Sequence, residues 1–407
     1  MLLNAKLENQ KNKNGGWTFA IYTIITMCVY ILPALKIKIP YVIAGPLMLI
    51  SLLVIAMLDD ELLKYSLILV FISFCFFTLN LMNKVSLTNA INEMIRNIRF
   101  FLPVIWCVYC VKNVDENRQK VVLFAFLFIA GFIMIKTLTA LAEDAMIARL
   151  LAQGKETSDS KINSYRLSNI GGFEFSYMMG VLDLCSLWVF LNRKEVWVKI
   201  ISIGAYILIF YYIIQAQYTT LLLLTFVGSV VLLFAYYKNI WFRILLVFFS
   251  VLLIYFIGDI FSILADLFSN VLLGAKFDQL AEFVKYGSAE ELGSRPELIR
   301  HSFETWLMNP ILGADASKLN SHSLIMSTLA GTGLVGFSLL AYLFYKSYKL
   351  IDGYLLEYNK GKSLFKCSTL FLIALAFFNP IGYVFEMTII TYFILPICIK
   401  SFANKEQ

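Results

Sequence analysis

The sequence predicts an all-α polytopic membrane protein, a bundle of about twelve transmembrane helices with both termini cytoplasmic. Three observations carry that reading. The chain of 407 residues is 60% hydrophobic, has a mean hydropathy of +0.76 and is only 15% charged, against about 25% charged in ordinary soluble domains. Apolar runs of about 18–25 residues recur along its whole length, each long enough for a spanning helix. The basic residues are also unevenly shared between alternate connections, which sets the orientation.

In chain order, a polar tail at 1–16 carries Lys6, Lys11 and Lys13 and leads into a first span at 17–35 without a small-residue cleavage site. No cleavable signal peptide is expected. Spans at 40–58, 65–82, 94–111 and 121–141 follow, then an outer loop at 142–170. Spans at 171–191, 198–214, 219–237 and 240–258 complete a first block of nine helices over 17–258. A large extracytoplasmic segment at 259–321 precedes the last three spans, 322–345, 364–381 and 384–400, and a cytoplasmic tail at 401–407. With the N-terminus inside, the cytoplasmic connections hold Lys64, Lys112, Arg118, Lys120, Arg193, Lys194, Lys199, Lys238, Arg243, five lysines between 346 and 366, Lys400 and Lys405. The short outer ones hold only Lys36, Lys38, Lys84, Arg96 and Arg99. Lysines at cytoplasmic loop ends account for the net charge of +7, so no nucleic-acid partner is implied. All seven cysteines fall in apolar runs, and Cys107-x-x-Cys110 reads as small buried side chains rather than a redox pair.

The 259–321 segment opens with an apolar stretch at 260–271, too short to cross, which reads as an interfacial or re-entrant helix. Ser294-Arg-Pro-Glu297 has the form of a capping box, so a helix should run from Arg295 to about Met308, where Asn309-Pro310 stops it. It would place Ile299, Phe303 and Trp306 on one stripe and Glu297, Arg300, His301 and Glu304 on the other, as a helix on the membrane's outer face. His322 then lies in the first turn of the next apolar helix. Gly331, Gly333 and Gly336 read as allowing close helix packing.

The chain has no Walker loop, no dinucleotide fingerprint and no Cys/His metal cluster, and two histidines rule out a multi-histidine site. No cofactor or metal is expected. What remains is a set of cations against the charge bias. Arg96 and Arg99 lie one turn apart at the outer start of span 4, Lys136 near the outer end of span 5, Arg166 just before span 6, and Arg295 in the long loop. Snorkelling to headgroups is the simpler reading of Arg96, Arg99 and Lys136 taken singly. An arginine suits phosphate because its planar fork donates two parallel hydrogen bonds and never loses its charge. Glu174, Asp183 and Glu386 are carboxylates in or near apolar spans, either functional or counter-charges to Lys136 or an arginine.

The pattern Ser-Arg295, Trp306, Asn309-Pro310, Leu312-Gly313, His322-Ser-Leu and Gly331-Thr-Gly-Leu-Val-Gly336 resembles the C-terminal signature of the O-antigen ligase and Wzy-type polysaccharide polymerase superfamily. Tyr165-Arg-Leu-Ser-Asn-Ile-Gly-Gly172 resembles the family's earlier outer-loop arginine. The resemblance implies a metal-independent glycosyltransferase of the bacterial plasma membrane with a glycosyltransferase-C-like bundle. Such an enzyme moves glycan from a polyprenyl-pyrophosphate-linked oligosaccharide to an acceptor glycan on the outer face, alongside other polysaccharide-assembly proteins. By position, Arg166 and Arg295 would hold the pyrophosphate, and His322 would activate the acceptor hydroxyl or bind phosphate. Two departures stand out: Ser323 replaces the usual Asn, and Gln217-Tyr218-Thr219-Thr220 stands where many members have Ser-Arg, so Arg96 or Arg99 would complete the anion site. The expected function is a capsule, exopolysaccharide or O-antigen polymerase. The alternatives are a ligase of the same superfamily, or a lipid-linked oligosaccharide flippase, which the lack of internal repeats disfavours.

Overall fold

The computed structural model describes residues 2–39, 45, 55, 57, 59–144, 147, 151, 160–237, 239–269, 272–286, 295–314, 323–379 and 384–403. Among them every regular element is helical. Helix α1 (Leu2–Ile31) stops at Leu32, and Pro33, which has no amide hydrogen to donate, opens the short α2 (Pro33–Lys38). Helix α3 (Asp60–Met82) starts on Asp59, whose carboxylate accepts from the amides of Glu61 and Leu62. Ser86 and Asp115 cap α4 (Leu87–Asn113) and α5 (Glu116–Glu143) in the same way. Then come α6 (Ser160–Leu167), α7 (Phe173–Asn192), α8 (Val196–Ala216), α9 (Thr219–Tyr236), α10 (Ile240–Tyr255), α11 (Ile257–Leu267) and α12 (Leu272–Tyr286). The chain closes with α13 (Arg295–Met308), α14 (Leu324–Tyr354), α15 (Asn359–Phe378), and a continuous rod of α16 (Phe385–Thr388), a π-helical turn (Ile389–Ile394) and α17 (Leu395–Phe402).

Nine of the described helices are long and apolar enough to cross a bilayer: α3, α4, α5, α7, α8, α9, α14, α15 and the C-terminal rod. The protein is therefore a multi-pass membrane protein. The other three expected spans fare differently. The apolar part of the first is the shorter Gly16–Ile31. The second, 40–58, lies almost wholly outside the described residues. The ninth ends at Tyr255, because a turn at Phe256 passes the chain into α11. That helix is the short apolar one expected from residue 260; it begins at Ile257 and packs on α12, with Phe261 stacked 5.9 Å from Phe277.

Helix α7 and the C-terminal rod are the most enclosed spans, with 78% and 83% of their apolar windows buried. They form the middle of the bundle. Trp106 of α4 meets Phe385 and Phe393 of the rod edge-on at 5.8 and 5.9 Å, a favourable ring geometry. At one end of the molecule Lys112 bridges Asp59 (2.8 Å) and Glu61 (2.7 Å), and the Tyr354 hydroxyl donates to Glu61 (2.6 Å), joining α3, α4 and α14.

At the other end α14 is broken at Gly333, where φ is +64° and ψ −165°. Four neighbouring backbone groups find partners outside the helix. The amides of Leu334 and Val335 donate to the carbonyls of Pro310 (2.9 Å) and Ile311 (3.2 Å). The carbonyl of Ala330 accepts from the amide of Ala314 (2.8 Å), and that of Gly331 from the side-chain amide of Asn83 (2.7 Å). Trp306 steadies the same turn by donating to the Pro310 carbonyl (3.0 Å). Gly331 and Gly333 therefore admit a backbone turn rather than the neighbouring helix that the sequence suggested, whereas a Cβ on Gly336 would stand 3.3 Å from the Phe76 ring of α3, a close helix approach as expected. A Cβ on Gly333 would stand 2.3 Å from the Ile311 carbonyl oxygen. Gly333→Ala should cost about 1–3 kcal/mol from its glycine-only backbone region alone, with the clash added. The check is a melting temperature several degrees lower in purified protein; a variant that melts with the wild type would refute this account of the break.

Helix α13 has the expected bounds, Arg295–Met308. Its inward face differs from the expected stripe: Ser302 and Thr305 are buried, while Phe303 and Leu307 are exposed. Small side chains let α13 approach α14 closely, which outweighs burying one aromatic. His301 lies exposed on the polar side, as read from the sequence.

Candidate functional site

The segment 165–172 folds as a helix stop. Asn169, in the left-handed region at φ +59°, donates its amide to the Arg166 carbonyl (3.0 Å), and the Ile170 amide reaches back to Tyr165 (3.1 Å). This is a Schellman ending, with asparagine in the position glycine usually takes. The Asn169 side chain accepts from the amide of Ala34 in α2 (3.1 Å), and the Gly171 amide donates to Thr137 of α5 (2.8 Å). These bonds fix Arg166 in the last turn of α6, between α2 and the start of α7.

Arg166 lines a pocket of about 410 Å³ shared with Lys36 of α2, Phe173 and Glu174 of α7, and Glu386 of the C-terminal rod. The Lys36 amine bridges both carboxylates, at 2.9 Å from Glu386 and hydrogen-bonded to Glu174. The Glu386 side chain is only 4% exposed, and its second oxygen has no hydrogen-bond partner. A carboxylate so placed tolerates ionisation only beside a cation. Lys36 supplies that cation to both acids. Arg166 pairs with neither of these carboxylates, and among the described residues it makes no ion pair.

The same end of the bundle gathers the start of α14. Ser323 caps that helix by accepting from the Met326 amide (3.1 Å), and its hydroxyl donates to the Ala376 carbonyl (3.2 Å). The Leu324 amide donates to the Asn379 carbonyl (3.1 Å), while the Asn379 side chain accepts from Tyr177 (2.9 Å). Tyr177 lies one turn beyond Glu174 and packs against Tyr218 at 6.0 Å. Both departures from the resembled pattern therefore sit here. Ser323 uses its oxygen as a helix cap, and Gln217, left-handed at φ +59°, buries a carboxamide oxygen without a partner.

The remaining candidates are placed elsewhere or not described. His322 lies outside the described residues, though Ser323 beside it is anchored as above. Arg295 is the first residue of α13. Arg96 pairs with Glu93 on its own helix, Arg99 is half-buried on α4, and neither lines the pocket. Lys136 is exposed on α5 and is not the partner of Glu174 or Glu386. Asp183 is fully buried in α7 with neither carboxyl oxygen hydrogen-bonded. Sequence reasoning missed Lys36, which looked like an ordinary outer-connection lysine. The sequence holds a lysine three residues after Pro33 and two acids in distant apolar runs, but nothing local joins them. Compared with models of known protein families and with curated proteins, the chain matches none.

Proposed function

We propose that the protein is a membrane glycosyltransferase, a polysaccharide polymerase that extends a glycan from a polyprenyl-pyrophosphate-linked donor at the extracytoplasmic face of a bacterial plasma membrane. The observation that carries this is the pocket itself. It joins Arg166 of the 165–172 motif to Glu174 and Glu386, at the bundle end where Ser323 follows His322. The outward orientation of that end rests on the basic excess of the opposite connections.

In this reading Arg166, with Arg295, grips the pyrophosphate. The acceptor hydroxyl attacks the anomeric carbon opposite the leaving group, the bond from that carbon to the phosphate oxygen breaks, and the configuration inverts. His322 takes the hydroxyl proton, and the pyrophosphate leaves with the bonding pair. Lys36 holds both carboxylates, so that neither competes with the donor for Arg166. The sugar–phosphate bond supplies the driving force, so no nucleotide is consumed.

The test is polymer synthesis by purified protein in nanodiscs supplied with a lipid-linked repeat unit. Each lost charge-assisted hydrogen bond is worth about 1.5–3 kcal/mol, so Arg166→Lys should fall at least about tenfold and nearly as far as Arg166→Ala. Full polymer from Arg166→Lys would remove the arginine from the site. A ligase of the same superfamily would transfer finished glycan to a different acceptor without lengthening it. The intramembrane ion cluster also suits a lipid-linked oligosaccharide transporter, which would move substrate across vesicles and make no polymer.

A further inference from the structure

We propose that the groove between α14 and α15 binds an anionic glycerophospholipid, an acyl chain lying along the groove and the phosphate meeting Lys366. The proposal is independent of the glycosyltransferase reading, since this groove and the charged pocket share no lining residue.

The groove has a volume of about 540 Å³, and its walls are hydrocarbon: Leu340 and Phe344 from α14, Leu370 and Ile373 from α15. Two contacts set its ends. The Ser323 hydroxyl on the Ala376 carbonyl closes one, beside Ile325. At the other, Tyr348 stacks flat on Phe365, with ring centroids 5.4 Å apart, and Lys366 lines the opening. From Lys366 to Ala376 the helix climbs about 15 Å at 1.5 Å per residue. That is about half of the roughly 30 Å hydrocarbon core, the depth of one leaflet.

Charge says which lipid. The end of α14 and the start of α15 hold Lys346, Lys349, Lys360, Lys362 and Lys366, and from 346 to 366 the only acids are Asp352 and Glu357; Asp352 accepts a hydrogen bond from the Tyr348 hydroxyl (3.4 Å). Among the described residues Lys366 has no ion-pair partner; it is exposed at the groove's mouth. Basic pockets between spanning helices at this level select anionic headgroups. A choline headgroup would bring a second cation to a site already rich in them. A phosphate without a chain would leave the apolar walls unfilled.

The experiment is native mass spectrometry of detergent-purified full-length protein exchanged with phosphatidylglycerol or phosphatidylcholine of identical acyl chains. Wild-type protein should retain phosphatidylglycerol roughly fivefold or more over phosphatidylcholine, as expected for one lysine at the surface. Lys366→Gln should abolish that preference, and Ala341→Trp, which fills the groove, should lower retention of both lipids. Ala376→Phe serves as a second filler, with melting curves confirming that each variant is folded. Equal retention of the two lipids by the wild type, or an unchanged preference in Lys366→Gln, overturns the proposal. So does displacement of the lipid by inorganic phosphate alone. Retention of a polyprenyl phosphate instead, blocked by Ala341→Trp but indifferent to Lys366→Gln, would assign the groove to a donor's tail and refute the phospholipid.

Discussion

Lys36→Met is expected to lower stability by up to about 3–5 kcal/mol, the effect of removing one partner from a fully buried ion pair, the partial exposure of Lys36 and Glu174 reducing it. The substitution would leave Glu174 and Glu386 facing each other, Glu386 only 4% exposed and with one oxygen already lacking a partner. Lys36→Arg should keep most of the stability by retaining a cation. The triple variant Lys36→Met, Glu174→Gln, Glu386→Gln should recover much of what the single change loses, because no uncompensated charge then remains. Melting temperatures of the purified proteins decide. If Lys36→Met melts with the wild type, the bridge between α2, α7 and the C-terminal rod is not what fixes the pocket.

The second large effect concerns the base. Under the polymerase reading, His322→Ala should lower polymer synthesis about 10²–10⁴-fold while leaving donor binding in place. A neutral imidazole accepts the proton, so the wild-type rate should fall as the pH drops through the histidine's range, and that limb should vanish from the variant's residual activity. If the histidine acts as a phosphate-binding cation, the pH dependence reverses and donor affinity falls too. Glu174→Gln is the companion measurement. Glu174 lies in the pocket with Arg166, but Lys36 already occupies its carboxylate. A loss in Glu174→Gln as deep as in His322→Ala would move the base to the carboxylate.

The fold was legible wherever one local force dominated. Long apolar runs announce α3, α4, α5, α7, α8, α9, α14, α15 and the rod, since a spanning segment must satisfy its own backbone. Asn309-Pro310 fixed the end of α13 by the same local logic. The site was legible by halves. Arg166 and Glu174 were both identified as chemical candidates, and they share one pocket. Lys36 was not, because its partners lie 138 and 350 residues further along the chain, a separation no local pattern encodes. Gly331 and Gly333 of α14 were visible but misassigned. A positive-φ break filled by a turn twenty residues earlier looks, in sequence, like any small-residue stripe.

That break also has a mechanical consequence. The 309–314 turn and the 330–335 stretch share reciprocal backbone bonds, and Asn83 ties the Leu312 and Gly331 carbonyls to the end of α3. Pulling the turn away would leave these backbone groups to find new partners. Helix α13 is thus coupled to the two halves of α14 as one rigid lever. Any displacement of the 309–314 turn must therefore carry both halves of α14 with it, the movement being taken up beyond the two ends of that unit.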